Sequence, residues 1–463
     1  MAKRSKSSTP NSSKAGSSVT EADEPMAKRI KRSTSSFSKA GPSEMDEPTA
    51  RSSTSSTSNS SKAGPSVSKM DKPTARGRAK ASNRGRAELS VLLCERSFHR
   101  HCSRMLLSSL DSDTSALHSF MAPAAPEPAA AMGPLDQLLS VCSVSSLVTF
   151  EEALRLSNVT KCIKLGEGSY GEVFLVAHED EESAIKIVPI EGTLLYNGDT
   201  QLTAKSILPE VVITRALSNL RDGTYNQCST FVELKRMHCI RGEFHPVLLQ
   251  AWEEYRCKQE SENDCPDMFP AEQMFAAFEF VASGKDLNPR QLADIKQSTS
   301  VLLQAACGLA VAECELNFEH RDLHLSNVLV RPTTETDVQF ILNGKSIKVP
   351  THGVRVTIID FTLSRMEKGN TVLYTDMSKG NFFDGQGLYQ YDMYRFMRNW
   401  NKHNWEMYQP RTNTLWLYYL LTQLNTKTFK MDRDTDTRVE LLLSWLPKLF
   451  EEPSATSFVK KFF

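Results

Sequence analysis

His320-Arg321-Asp322-Leu323-His324-Leu325-Ser326-Asn327 is the stretch that decides how this chain is read. The segment before it, Ser300 to Phe318, is long and largely apolar and is predicted as a buried helix. The segment after it, Val328-Leu329-Val330, has β character. A helix therefore delivers a short polar loop that a strand carries away. Asp322 and Asn327 stand five residues apart on that loop, an interval that turns both side chains to one side. An aspartate placed there can accept or orient a hydroxyl proton while an asparagine holds a divalent cation.

Downstream, Val354–Ile359 is a further β run that ends in Asp360-Phe361-Thr362. Asp360 is the expected magnesium ligand bridging nucleotide phosphates, with Asn327 as the second metal-binding side chain. Threonine stands where glycine is usual after Asp-Phe. It takes positive φ only at a cost, so flipping of this segment should be restricted. Between the two runs, Phe340-Ile341-Leu342-Asn343-Gly344-Lys345-Ser346-Ile347 reads as a hairpin closed by an Asn-Gly turn. No Ala-Pro-Glu triplet follows, and nothing between Asp360 and Asp392 reads as a standard activation segment.

Upstream, a strand at Cys162–Leu165 enters Gly166-Glu167-Gly168-Ser169-Tyr170-Gly171, and Glu172-Val173-Phe174-Leu175-Val176 leaves it. A glycine triplet of this spacing serves either a dinucleotide fold, which needs a helix next, or a flap over ATP, which needs a strand. The residues that follow are β formers, so the flap is the better reading, with Val173 lying over the adenine. The next strand, Ser183-Ala184-Ile185-Lys186-Ile187-Val188, puts Lys186 opposite Ile185 and Ile187. On its own that is also the pattern of a surface lysine. Fifteen residues beyond the last flap glycine it suits a lysine on the α- and β-phosphates. Glu210 in Leu208-Pro209-Glu210 is the expected helix partner of Lys186, ahead of Glu191 and Glu233. Pro209 requires that the helix begin there or kink there. Phe275–Phe280 with Val281-Ala282-Ser283-Gly284 reads as a strand and hinge against the adenine edge. Phe280 would lie at the back of the pocket, Ala184 and Gly284 beside the base, and Asp286 at the ribose.

Composition sets the outer limits. Residues 1–87 hold 18 of the 55 basic and 7 of the 55 acidic side chains and hardly any large apolar ones. Such a segment is expected to stay disordered. The remainder is acidic, with 37 basic and 48 acidic residues. A basic arm on an acidic body suggests contact with chromatin or nucleic acid, or a nuclear address, although a merely solvated tail has the same composition. Ser-Lys-Ala-Gly recurs at 13–16, 38–41 and 61–64 without the apolar face a solenoid needs. Residues 88–147 read as a leader and linker, with a short helix at Pro134–Val148, and the catalytic domain as 148–463. The ten cysteines form no C-x-x-C pair, and no apolar signal segment opens the chain, so reduced thiols and no membrane association are expected. Cys94, His99, His101 and Cys102 carry zinc-type ligands at a spacing matching no standard finger, and no metal is expected there.

From about Cys162 to Phe463 the chain resembles haspin, an atypical protein kinase family of chromatin. The matches are Gly166-Glu167-Gly168, Ala184-Ile185-Lys186-Ile187, Ile190-Glu191-Gly192, Leu208-Pro209-Glu210, His320 to His324, Asn343-Gly344-Lys345-Ser346, Ile358-Ile359-Asp360, Thr362-Leu363-Ser364-Arg365, Tyr389-Gln390 with Asp392 and Tyr394-Arg395, and Leu415-Trp416-Leu417. The Asp-Phe-Thr triplet and the missing Ala-Pro-Glu are habits of that family, as is the proline before the helix glutamate. The resemblance implies an α+β bilobal fold and an ATP- and magnesium-dependent serine/threonine kinase, built without an activation-loop switch. Its implied substrate is a threonine near the N-terminus of a core histone tail, phosphorylated in mitosis, which places the protein in the nucleus and on mitotic chromosomes. The family presents acidic residues just before the Tyr-Gln matched here, where they grip the tail. This chain has Gln386 and Leu388 there, leaving Asp384, Glu172 and the loop residue His324 as substrate-binding candidates. A monomeric catalytic domain is expected. A kinase-fold scaffold on chromatin and a small-molecule kinase are the competing readings; retention of Lys186, Glu210, Asp322, Asn327 and Asp360 favours the protein kinase.

Overall fold

A computed structural model describes residues 132–463 apart from 169, 260, 380 and 428–443. The basic arm, its repeats, most of the leader, the Cys94–Cys102 cluster and Ser169 lie outside the described residues.

The first lobe is an antiparallel sheet of β1 (Lys161–Gly168), β2 (Gly171–Ala177), β3 (Glu182–Ile190), β4 (Leu234–Arg241) and β5 (Met274–Val281), in the order β1-β2-β3-β5-β4. Its two faces follow from the alternation of strand side chains. Phe174, Ile185, Ile187, Phe275 and Ala277 point to one face. There they form a core with Phe150 and Leu154 of α2 (Phe150–Leu154) and Leu248 and Trp252 of α4 (Pro246–Gln259). Val173, Ala184, Lys186, Phe278 and Phe280 are register partners on the opposite face. Lys186 is therefore on the cleft side because its neighbours Ile185 and Ile187 are committed to the core.

Helix α3 (Ala204–Ser218) brings Glu210 to that face. Thr203 caps it, accepting from the Ser206 amide at 3.1 Å. The helix neither starts at Pro209 nor stops there; the proline is its sixth residue, leaving the Lys205 carbonyl without an intrahelical donor. Helix α1 (Pro134–Cys142) packs on α3. It ends sooner than the sequence suggested, at Cys142, because Ser143 takes a left-handed conformation with φ 59°. Arg215 of α3 donates to the Val141 carbonyl at that end, so α1 is fastened to the first lobe.

The second lobe is organised around α5 (Ile295–Leu316), whose side chains are buried nearly all round. Its length and apolarity alone would suit a membrane span, but the apolar stretch is enclosed by the protein. Gln304 on α5 holds the strand β10 (Val354–Ile358) by donating to the Val354 carbonyl at 2.9 Å and accepting from the Val356 amide at 3.0 Å. Strand β10 pairs with β7 (Val328–Pro332), and β7 with the short β6 (Lys285–Asp286). The inserted hairpin is β8 (Asp337–Leu342) and β9 (Lys345–Pro350). Its turn residues Asn343 and Gly344 have φ of 51° and 75°, the paired positive values expected for Asn-Gly. A second hairpin, β11 (Arg365–Lys368) and β12 (Thr371–Tyr374), follows Asp-Phe-Thr. Helices α6 (Tyr389–Asn401), α7 (Arg411–Lys427), α8 (Trp445–Glu451) and α9 (Ala455–Phe462) complete the lobe. Glu313 of α5 is buried and accepts from the Ala455 and Thr456 amides at 2.9 and 2.7 Å, satisfying the first turn of α9.

Candidate active site

Sheet, helix and loop converge on one cleft. Lys186 Nζ lies 2.5 Å from Glu210 Oε1. Burial disfavours the ammonium, yet Glu210 and Asp360 outweigh it and hold the Lys186 pKa above the ordinary lysine value. The lysine therefore stays charged, ready to face an anion. Glu191 and Glu233 are engaged elsewhere, Glu191 with the Ala204 amide and Glu233 with Arg221.

Opposite the sheet, the loop after α5 is sealed into the second lobe. His320 is fully buried and its pKa is lowered to about 4 by burial, so it is neutral at pH 7. Its Nε2–H donates to the Ile359 carbonyl and its Nδ1 accepts from the Asp322 amide, at 3.1 and 3.2 Å. One neutral ring thus ties the loop to the end of β10. Asn327 donates to the Asp322 carbonyl at 2.9 Å and lies 3.4 Å from Asp322 Oδ2. His324 Nε2 lies 3.7 Å from the same oxygen. His324 therefore sits beside the Asp322 carboxylate, though only 5% exposed. Asp360 takes a left-handed φ of 61°, which turns its carboxylate back toward Lys186. Phe361 is buried beside Phe231, Phe318 and His320.

The flap is strand–turn–strand. At Gly166 and Gly168 an added Cβ would meet nothing within 4 Å, whereas at Gly171 it would lie 2.0 Å from the Ile187 carbonyl oxygen. Gly171 is thus required by the sheet itself. Gly166 and Gly168 border open space of the kind phosphates would fill. Tyr170 lies in the turn and Val173 over the cleft face. At the hinge, Phe280 pairs with Ala184. Gly284 has φ 109°, and a Cβ there would lie 2.5 Å from the Val330 carbonyl oxygen, so only glycine fits. Asp286 is exposed on β6 just beyond it.

One sequence expectation needs correction. The carboxylate of Glu167, in the flap, is held by Lys164 at 2.7 Å, by Ser261 at 2.5 Å and by the Glu262 amide at 2.8 Å, which leaves its backbone facing the turn. Glu172, expected at the substrate, is 1% exposed. Lys164 lies 2.6 Å from it, and Tyr196, Asn263 and Trp252 donate to its Oε1. Burial pushes its carboxyl pKa up. A peptide cannot reach a carboxylate so enclosed. Both glutamates instead anchor the flap from behind. Asp384 is exposed on the loop before α6.

The family model described as "Haspin like kinase domain" matches residues 9–462. The serine/threonine-protein kinase haspin of Mus musculus is 41% identical over 299 residues, covering 64% of this chain and 40% of that protein. The haspin homologue of Arabidopsis thaliana is 39% identical over 300 residues, covering 64% and 49%. That of Drosophila melanogaster is 34% identical over 313 residues, covering 64% and 55%. The chain belongs to the haspin kinase family. It spans roughly two fifths to just over half of the length of these relatives.

Two features of this haspin-like site, Arg321 and Tyr394, were not assigned a role from sequence, and a third, Thr362, acts otherwise than expected. Arg321 of the His-Arg-Asp triplet is fully buried with φ 66°. It donates to both oxygens of Glu319 at 3.0 and 3.1 Å, so it is sealed away from any incoming phosphate. Thr362 donates its hydroxyl to Asp360 Oδ1 at 2.5 Å and its amide to the same atom at 3.2 Å. Its φ is ordinary; the positive φ expected to trouble it belongs to Asp360. Tyr394 of α6 donates to Asp322 Oδ1. In the sequence Tyr394 stood only within the Tyr394-Arg395 match to the family, which says nothing about the phenol's partner.

Proposed function

We propose that this chain is a protein serine/threonine kinase, transferring the γ-phosphate of ATP to a hydroxyl on a basic protein segment. The observation that carries it is the Lys186–Glu210 pair facing Asp360, Asn327 and Asp322 beneath open space at Gly166 and Gly168. ATP is held with its phosphates under the flap and against Lys186, its base between Val173, Ala184 and Phe280, and its ribose beside Asp286. Asp322 Oδ2 accepts the hydroxyl proton as the substrate oxygen attacks the γ-phosphorus and ADP leaves. Two hard oxygen donors, Asp360 and Asn327, suit magnesium, which takes one or two protein ligands and completes its shell with phosphates and water. Bound there, it neutralises phosphate charge. No larger cluster is needed; among the described residues no three His, Cys, Asp or Glu side chains converge as metal ligands.

The closed Glu319–Arg321 pair supports a site competent without activation-loop phosphorylation. For the substrate we favour a threonine near the start of a core histone tail, phosphorylated in mitosis, with Asp384 as the exposed acidic contact. Localisation to the nucleus and mitotic chromosomes would rest on the basic arm, residues 1–87. The test is label transfer from ATP and magnesium to core histones, comparing the wild-type chain with Asp360→Ala. Label on histone that vanishes in the variant is the expected result. Label confined to other proteins would retain the kinase and discard the histone. No label at all from folded protein would overturn the enzyme.

A further inference from the structure

Resting on the kinase reading above, we propose that Tyr394 is a positioning residue for the catalytic aspartate, locking Asp322 through a hydrogen bond to Oδ1 so that Oδ2 alone is turned to the substrate hydroxyl.

The phenol reaches Asp322 because of how α6 is packed. Among the buried residues, Gln390, Tyr394, Met397 and Asn401 recur at helical spacing along one line of the helix. The ring of Tyr394 stands edge-on to Trp416 at 5.4 Å and tilts against Phe382 at 6.4 Å. Arg395, the next residue, donates to the carbonyls of Phe383 and Gly385 at 2.9 and 2.8 Å and pairs with Asp392. The preceding loop is thereby fastened to α6. Tyr394 is 0% exposed and Asp322 4%, so the bond is shielded from water and is worth more than a surface one.

The two carboxylate oxygens are then unlike. Oδ1 receives the phenol, whereas Oδ2 meets only the looser groups, Asn327 Nδ2 at 3.4 Å and His324 Nε2 at 3.7 Å. Every titratable or charged group facing Asp322 has a sign. Asp360 opposes its ionisation, Tyr394 and Asn327 favour it by hydrogen bonding, and burial opposes it most. His324, from the loop itself, adds a favourable charge only when protonated. In the second lobe Tyr394 is thus the buried O–H donor set against desolvation of the base. It touches Asp322 and not the substrate, and acts through it.

The test is Tyr394→Phe, which keeps the ring against Trp416 and Phe382 and removes one oxygen. With saturating ATP and peptide, kcat should fall by about tenfold or more, while KM for ATP stays within about twofold. KM for the peptide should likewise stay within about twofold, because the phenol acts on the base and not on binding. A crystal structure of Tyr394→Phe reads the Asp322 carboxylate without turnover, and it should be rotated from its wild-type place. An inactive wild-type protein would therefore sink the kinase reading and still leave this one tested. Unchanged kcat, or a carboxylate still in its wild-type place, would overturn the proposal. Trp416→Phe, which loosens packing without removing the phenol, should lower stability and leave kcat within about twofold; an equal fall in kcat would also overturn it.

Discussion

In the proposed mechanism Asp322 carries a burden set by its surroundings: the base must be ionised, yet burial raises its pKa well above the usual aspartate value. Activity should therefore be full on the alkaline side of that raised pKa and be lost as pH falls through it. The loss should set in at a higher pH than for a solvent-exposed carboxylate, and a pH–rate profile with peptide substrate checks the sign. Asp322→Asn should lower kcat by roughly 10²–10⁴-fold with ATP affinity kept, measured by nucleotide titration alongside turnover. Thr362→Val removes one hydroxyl donor from Asp360 and should lower kcat/KM by about fivefold, the equivalent of about 1 kcal/mol. A larger effect in kcat than in KM would show that the clamp acts in the transition state.

At the scale of elements, the flap separates two uses of glycine that the sequence pattern merges. Gly171→Ala drives a Cβ into the Ile187 carbonyl and should cost on the order of 2–3 kcal/mol of stability, read by thermal or urea unfolding. Gly168→Ala meets nothing in the protein, so stability should shift by less than about 0.5 kcal/mol while KM for ATP rises. The reverse ranking would remove the argument that phosphates lie against Gly166 and Gly168. The strands could be read from alternation, and the inserted hairpin from Asn343-Gly344, because both are local rules. Where α1 stops could not be read, because Ser143 is no usual helix terminator and Arg215, far along the chain, provides the cap. At Pro209 the local rule left a start or a kink open, and the helix running from Ala204 to Ser218 excludes the start.

For the molecule as a whole, Lys186, Asp322, Asn327 and Asp360 were legible because each sits in a short motif whose neighbours are fixed by periodicity. Glu167 and Glu172 lie in an equally regular motif, yet Glu172 was misassigned and the hold on both side chains went unread. Their partners, Lys164, Tyr196, Trp252, Ser261 and Asn263, come from the opening strand and from segments well downstream of the flap, and no spacing rule connects them. Arg321 and Tyr394 share that difficulty, since a side chain's partner is a property of the folded chain. The charge division between residues 1–87 and the remainder leads to another expectation. Removing 1–87 should leave peptide phosphorylation in solution within about twofold and reduce retention on chromatin as salt is raised. Unchanged localisation of the shortened protein in cells would dismiss the arm as an address.

Thr362 and Phe361 together bear on how such a site could be drugged. Compounds that bind by displacing the aromatic ring after the metal-binding aspartate need that segment to swing outward. Here they would have to break the Thr362 clamp on Asp360 and empty a pocket walled by Phe231, Phe318 and His320. Selectivity should accordingly lie with flat, adenine-sized inhibitors that leave the ring in place, and a screening set split by those two chemotypes should give hits almost wholly from the second.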